Sequence, residues 1–382
     1  MKQIVCLSTS PWYPIPTRKQ QVMSRIEDAQ ILYFDPPVSI LAPLKDPQAR
    51  KRIFAYRKPA QTVAPNLQVF ALPPVLPFFN RYRILNKLNQ RRIARFVRKK
   101  MAEQQMLEPV LWTYSPTSCD CVDRIPHKAL VYDCVDRHSA YGGLMNPAVV
   151  DEMELELAKK ADMVFATAQG LQQRLKQVNE TASFIPNGAN FERFSQAAEP
   201  QKRPEDFPQV DGPVFGFVGA IQDCIEYGFI ETAAKAKPEW SFVLIGAEKP
   251  GVNLSNLKAL SNVYFLGLKP NETLPQYIAQ FDACLNLFAA NELSKDVSPL
   301  KFYEYLATGK PIVSTPQPEQ VLQFAPLIHI AHTAQEFVVK CAEAQADDLP
   351  ERRQARLEQG RSSSWDARVA QMCQRLEEAG IF

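Results

Sequence analysis

No stretch of the chain is apolar for long enough to cross a bilayer, and the first residues do not read as a secretory signal. Both absences lead to the expectation of a cytoplasmic protein. Zinc chemistry is short of ligands too. The eight cysteines are scattered, and the close pair Cys119 and Cys121 has no second pair or nearby histidines to complete a site. Free, buried thiols and no metal are the expectation. No Gly-x-Gly-x-x-Gly with a later acidic partner follows the first strand, which argues against a dinucleotide oxidoreductase. Acid is missing from one region in particular: residues 47–102 hold no Asp or Glu, although the whole chain carries a net charge of only +3. The remainder is therefore acidic on balance.

A length of 382 residues suits two domains. Ile4 to Ser8 reads as a strand, Thr17 as the cap of a helix that opens with Arg18, Lys19 and Gln20, and Ile31 to Asp35 as a second strand. Strand, helix and strand make a parallel βαβ unit, whose sites lie at the carboxyl ends of strands. Ala129 to Asp136 is a buried strand ending in polar groups, with His138 just beyond. Asp136 is placed to act as a base toward an acceptor hydroxyl, and Asp133 to hold the loop from inside the strand. The alternative is that both cap the following loop. Residues 72–79 are apolar and proline-rich and lead into a basic helix. Its apolar face would be Ile84, Leu85, Leu88, Ile93, Phe96 and Val97. Residues 72–100 thus suit an anionic membrane surface. A plain solvated face is the alternative, and no base-reading module points to nucleic acid.

The richest stretch runs from Asp296 to Thr315. Ser298 is a natural N-cap, Pro299 suits the first helical turn, and Gly309 ends the helix before the strand-like Pro311 to Ser314. Lys301 in the first turn opposes the helix dipole, which makes sense if an anion such as a diphosphate docks at that end. Glu304, a turn later, can accept from both hydroxyls of a ribose. The plainer alternative is an amphipathic helix with Lys301 and Glu304 as a solvated pair.

The run from Pro299 to Pro311 resembles the donor-site signature of GT-B glycosyltransferases of the family 4, or group 1, type. Within them it is similar to the bacterial teichuronic-acid-type cell-surface polysaccharide enzymes. The segments Asp133 to Ser139 and Pro186 to Asn190 carry the resemblance further. It implies an α/β GT-B fold, two Rossmann-like domains with parallel sheets facing across a cleft. The expected boundaries are an acceptor domain at 1–196, a linker at 197–211, a nucleotide-sugar domain at 212–361, and a terminal helix at 362–382 that crosses back with Trp365 as its anchor.

The function implied is transfer of a sugar from a nucleotide diphosphate sugar, of UDP or GDP type, to a saccharide or lipid-linked acceptor in polysaccharide or glycolipid synthesis. No metal or other cofactor is implied, and a place on the inner face of the plasma membrane is. Ser298, Leu300 and Lys301 would meet the phosphates with Gly219 and Ala220, Glu304 the ribose, Leu266 and Gly267 the nucleobase, and Asp296 the donor sugar. Trp12, Arg18, Gln20 and His138 would face the acceptor. The chain departs from the pattern twice: residues 222–226 bring no Arg-Lys clamp, and Asp296 stands where Glu is commoner. A GT-B sugar-nucleotide epimerase, or a non-catalytic membrane-associated sugar-nucleotide binding protein, would fit the same residues.

Overall fold

Short apolar runs alternating with helices build two sheets, one in each of two units: Met1–Pro186 with Val369–Phe382, and Asn187–Arg368. The structure, a computed structural model, describes residues 1–46, 49–143, 145–290 and 296–382.

The first sheet contains β1 (Lys2–Leu7), β2 (Ala29–Asp35), β3 (Gln61–Ala64), β4 (Leu67–Ala71), β5 (Val110–Thr113), β6 (Ala129–Cys134), β7 (Met163–Ala166) and β8 (Ser183–Phe184). Their order is β3-β4-β2-β1-β5-β6-β7-β8, parallel except for the antiparallel edge pair β3 and β4. The second contains β9 (Val214–Val218), β10 (Ser241–Ile245), β11 (Val263–Gly267), β12 (Ala283–Asn286), β13 (Ile312–Ser314) and β14 (His329–Ile330), in the order β11-β10-β9-β12-β13-β14. The central strands are buried along their whole length, because helices cover both faces of each sheet.

Both sheets have a reversal point. From β9 the chain moves outward through β10 to β11, then returns to place β12 on the other side of β9. Likewise β2 and β5 flank β1. Loops leaving the two central strands of each sheet therefore part in opposite directions and leave a crevice at the strands' carboxyl ends.

Three expectations need correction. Residues 197–211 are not a free linker: Ala197 and Phe207 are buried in the core of the second unit, which begins at Asn187 rather than near 212. Apolar side chains spaced through a polar-looking segment were enough to dock it. The last helix, Trp365–Glu378, is not anchored to the first unit by Trp365. The Trp365 N–H donates to Ala189 O, within the second unit, while Val369, Met372, Leu376 and Ile381 enter the first unit's core. Finally, the helix Arg83–Glu103 turns Asn86, Asn89 and Gln90 inward with Ile93, Ala94 and Val97, leaving Ile84 66% and Leu88 46% exposed. Asn89 takes the Leu76 N–H at 2.8 Å and donates to Leu76 O at 3.0 Å, so the inward amides hold the preceding loop. Among the described residues no helix is long and apolar enough to cross a membrane.

Candidate functional site

In the second unit, β9, β10 and β11 end on glycines joined by backbone hydrogen bonds. The Gly219 N–H donates to Ile245 O and the Gly246 N–H to Gly267 O, both at 2.9 Å. Gly246 has φ 154°, and a Cβ there would lie 1.8 Å from Gly219 O. The strand ends thus form a ledge without side chains, which a ligand's backbone-hugging part can approach closely.

The helix Leu300–Thr308 stands over this ledge. Tyr305 explains why: its buried hydroxyl accepts the Val218 N–H at 2.7 Å and donates to Val218 O at 3.3 Å, tying the helix to the end of β9. Val218 needs that partner because β12 pairs with β9 only as far as Gly216. At the helix's other end Gly309 has φ 70°, and its carbonyl accepts from the buried Arg356 Nε at 2.8 Å. Ser298 is not the N-cap. Pro299 holds that position, and the Ser298 hydroxyl instead accepts the Asn187 N–H at 3.0 Å. The first turn has no side-chain cap; the Phe302 N–H donates to Pro299 O at 3.2 Å, which leaves the N–H groups of Leu300 and Lys301 to meet an anion.

Lys301, one turn before Tyr305, lies beside Gly219. Its ammonium sits 4.1 Å from the ring centre of Phe217 and 4.5 Å from that of Phe288, and a Cβ on Gly219 would be 3.5 Å from it. Lys301 makes no hydrogen bond or ion pair among the described residues. Burial pushes its pKa down to about 7 against the pull of Cys224 and Glu304. Glu304 is the mirror case: burial pushes it up to about 7 against Arg193 and Lys301. A cation and a carboxylate a turn apart are both desolvated and neither is satisfied, an arrangement that suits a ligand better than a fold. Ala220, Leu266 and Gly267 border the same ledge; Asp296 is half-buried in the turn before the helix, whose preceding residues 291–295 lie outside the described residues.

The first unit treats its candidates differently. Arg18 is 2% exposed, and its Nε donates to both oxygens of the fully buried Asp133, at 3.0 and 2.9 Å. A further nitrogen of Arg18 donates to Pro186 O. Asp133 is therefore no catalytic carboxylate and Arg18 no acceptor ligand; they pin the first helix to β6. Gln20 is spent as well. Its oxygen accepts from the Thr17 N–H and hydroxyl, and its amide donates to Pro11 O. Trp12 is 8% exposed, packed edge-on against Tyr33, with its backbone N–H donating to Asp35 Oδ1. These three residues shape the loop after β1.

Lys19, between two buried neighbours, is what the local pattern hid. It is half-buried over the Tyr114 ring, with its pKa lowered by burial while Asp136 and Asp133 pull it up. Asp136 remains half-buried at the end of β6, where burial first and then the Asp136 charge push the Tyr141 hydroxyl up. Beside these groups, at the carboxyl ends of β1 and β5, lies a cavity of about 280 Å³ lined by Leu7, Ser8, Phe79, Ser115, His138 and Tyr141 among others. Neither Lys19 nor the Phe217 and Phe288 pair was singled out by sequence. A phenylalanine at a strand end gives no sign of holding a cation until the helix that brings the cation is placed.

Residues 227–374 match the family described as glycosyl transferase-like. TuaH of Bacillus subtilis (strain 168), assigned to teichuronic acid biosynthesis as a glycosyltransferase, is 28% identical over 213 residues. That match takes in 52% of this chain and 53% of TuaH, about half the length of each. Among solved structures, the sucrose-phosphate synthase of Thermosynechococcus elongatus has a TM-score of 0.70 at 14% identity, covering 99% of both chains. The E. coli trehalose-6-phosphate structure bound with UDP-2-fluoro glucose has 0.71 at 11%, covering 98% of this chain and 99% of that one. HepE of Anabaena, in complex with UDP and glucose, has 0.63 at 16%, covering 99% and 100%. The two mostly parallel α/β sheets and these likenesses bear out the fold that the resemblance around Lys301 implies: the chain has the GT-B fold, and its residues 227–374 match the model of the glycosyl transferase-like family.

Proposed function

We propose that the protein transfers a sugar from a nucleotide diphosphate sugar to an acceptor of cell-surface polysaccharide or glycolipid synthesis. The observation that carries this reading is Lys301, a desolvated ammonium without an anionic partner at the uncapped start of a helix, over a ledge of glycines. A leaving diphosphate supplies the missing charge, and the helix's free N–H groups stabilise it as the sugar departs. Lys301 then does alone what an Arg-Lys clamp would share. Glu304 receives the ribose hydroxyls, Ser298 offers its hydroxyl proton to a phosphate, and the backbone at Leu266 and Gly267 borders the base. Asp296 reaches the donor sugar. Because two fold relatives were captured with UDP or a UDP-sugar, UDP is the first nucleotide to try.

The acceptor belongs to the first unit, where the cavity, Asp136 and His138 cluster at the strand ends. Leu76, Phe78, Tyr82, Ile84 and Leu88 are exposed on the same segment as Lys87, Arg91, Arg92, Arg95, Arg98 and Lys99. Apolar and basic side chains sharing the outer surface of residues 72–100 favour an anionic membrane, at about 1 kcal/mol per basic residue near the headgroups. A lipid-linked acceptor would be met there, on the inner face of the plasma membrane.

A thermal-shift screen with the diphosphates of uridine, guanosine, thymidine and cytidine tests the reading. One of them raises the melting temperature of the wild type and not of Lys301→Ala. Silence from all four, or an equal shift in the variant, refutes the assignment.

A further inference from the structure

Two segments of the first unit lie side by side beyond the ends of β2 and β4. The Val75 N–H donates to Val38 O and the Ile40 N–H to Val75 O, both at 3.0 Å. Inward, the two segments supply Pro36, Pro37, Leu72 and Phe79 to the wall of the first unit's cavity. Outward, they expose Ile40, Leu41, Leu76 and Phe78, and the short helix Ala42–Lys45 adds Leu44, which is 81% exposed. One thin wall therefore has an apolar face on each side. Phe78 marks its turn. With φ 60° it sits in the left-handed region, a strained conformation for an aromatic residue. The fold gains little burial for that strain, since Phe78 stays 42% exposed while Phe79 goes in.

The cavity, about 280 Å³, suits hydrocarbon better than sugar. Helices add Ile93 and Val150 to its apolar lining. Most of the hydroxyls that border it are already engaged. Ser8 accepts from Tyr33 and donates to Ser10 O, Ser115 and Thr117 bond each other, and Ser118 donates to Ser115 O. Asn80 Oδ1 is left shut in without a hydrogen-bond partner among the described residues, a place for a headgroup O–H. Charge favours one kind of headgroup. Residues 47–102 hold no acid, and Arg50, Lys51, Arg52, Arg57 and Lys58 are exposed there beside the basic helix.

We infer that the first unit's cavity takes the hydrocarbon chain of a phosphate-headed lipid, drawn from an anionic bilayer that rests against the outer face of residues 36–41 and 72–79. The acceptor is then lipid-linked and not a free saccharide. That last step rests on the transferase reading above; the lipid site itself belongs to the first unit alone.

The test uses the full chain and two single-chain probes below their micelle-forming concentrations, farnesyl phosphate and lysophosphatidic acid, with UDP titrated separately, all by calorimetry. At least one probe binds the wild type, and which one does so identifies the chain as isoprenoid or acyl. Val150→Phe, which fills the cavity, weakens that probe at least about tenfold, with UDP binding and melting temperature unchanged. A second measurement needs no variant: the same probe carrying a diazirine at the end of its tail labels residues 72–80 or 145–150 of the wild type. Leu44→Ser with Phe78→Ser abolishes cosedimentation with phosphatidylglycerol vesicles and leaves the soluble probe bound. Binding of neither probe, a smaller loss in a folded Val150→Phe, label confined to other residues, or vesicle binding that survives the double variant overturns the inference, while UDP binding leaves the donor site standing. Wild-type protein that binds a probe but no UDP refutes the reading of the second unit, and with it the lipid's role as acceptor.

Discussion

Arg18 with Asp133 in the first unit and Lys301 with Glu304 in the second are built from the same two kinds of charge, and they end up opposite in character. The first pair is closed. Nearly all its surface is removed from water, and each carboxylate oxygen receives a hydrogen bond. The second is open: burial has shifted both groups to about 7, and neither has a hydrogen bond or ion pair among the described residues. A closed pair contributes to the fold only because breaking it strands a buried charge. An open pair costs the fold something, and the proposed diphosphate and ribose would complete it.

Breaking the closed pair should have the largest effect. Arg18→Ala leaves Asp133 buried and alone, and should lower the unfolding free energy by about 3–5 kcal/mol. Urea denaturation followed by circular dichroism measures this; a loss under about 1 kcal/mol would mean that the pair pins nothing. Opening the second pair further should act on binding instead. Lys301→Ala should weaken UDP by about 2–3 kcal/mol, roughly 30- to 150-fold, the range for charge-assisted contacts, with no loss of thermal stability. A variant that melts lower yet binds UDP normally would make Lys301 structural.

The pH dependence separates the pairs without mutation. Glu304, raised from 4.5 to about 7, keeps a proton in the folded state that the unfolded chain gives up, so stability falls as pH rises between those values. Lys301, lowered from 10.5 to about 7, is uncharged when folded and charged when unfolded above 7, so stability rises from there toward 10.5. These two groups therefore give the apo protein a minimum in melting temperature near pH 7, which should flatten in Glu304→Gln with Lys301→Met. A profile that is the same in that double variant would show the pair to be relaxed. The smallest effect concerns the rings. Phe288→Leu removes one aromatic face from the ammonium, a contact worth about 0.5–2 kcal/mol, and should change UDP affinity by several-fold at most. Calorimetry showing a loss as large as that of Lys301→Ala would mean that the ring meets the nucleotide directly.

What could be read from sequence was what local chemistry decides. The helix stop at Gly309, the strand after it, and the placing of Lys301 and Glu304 a turn apart all depend on neighbours in the chain. So did the two parallel α/β units. Ser298 was misread because its hydroxyl is taken by Asn187, 111 residues away, and Arg18 because its partner Asp133 lies 115 residues off. The helix Arg83–Glu103 shows the same limit. Its inward amides look like surface residues until Thr117, Asp120 and Leu76 are brought up against them. Sequence periodicity weighs apolar faces and cannot see a polar group whose partner arrives from elsewhere.

The most direct test of the open pair is a calorimetric titration of UDP at pH 8 in two buffers of different ionisation enthalpy. At that pH Glu304 is already ionised and Lys301 mostly is not, so a diphosphate that meets Lys301 must draw in a proton. The account predicts that the binding enthalpy changes with the buffer by an amount corresponding to nearly one proton taken up, and that this dependence disappears in Lys301→Met. Binding with no buffer dependence in the wild type, or the same dependence in the variant, would contradict it.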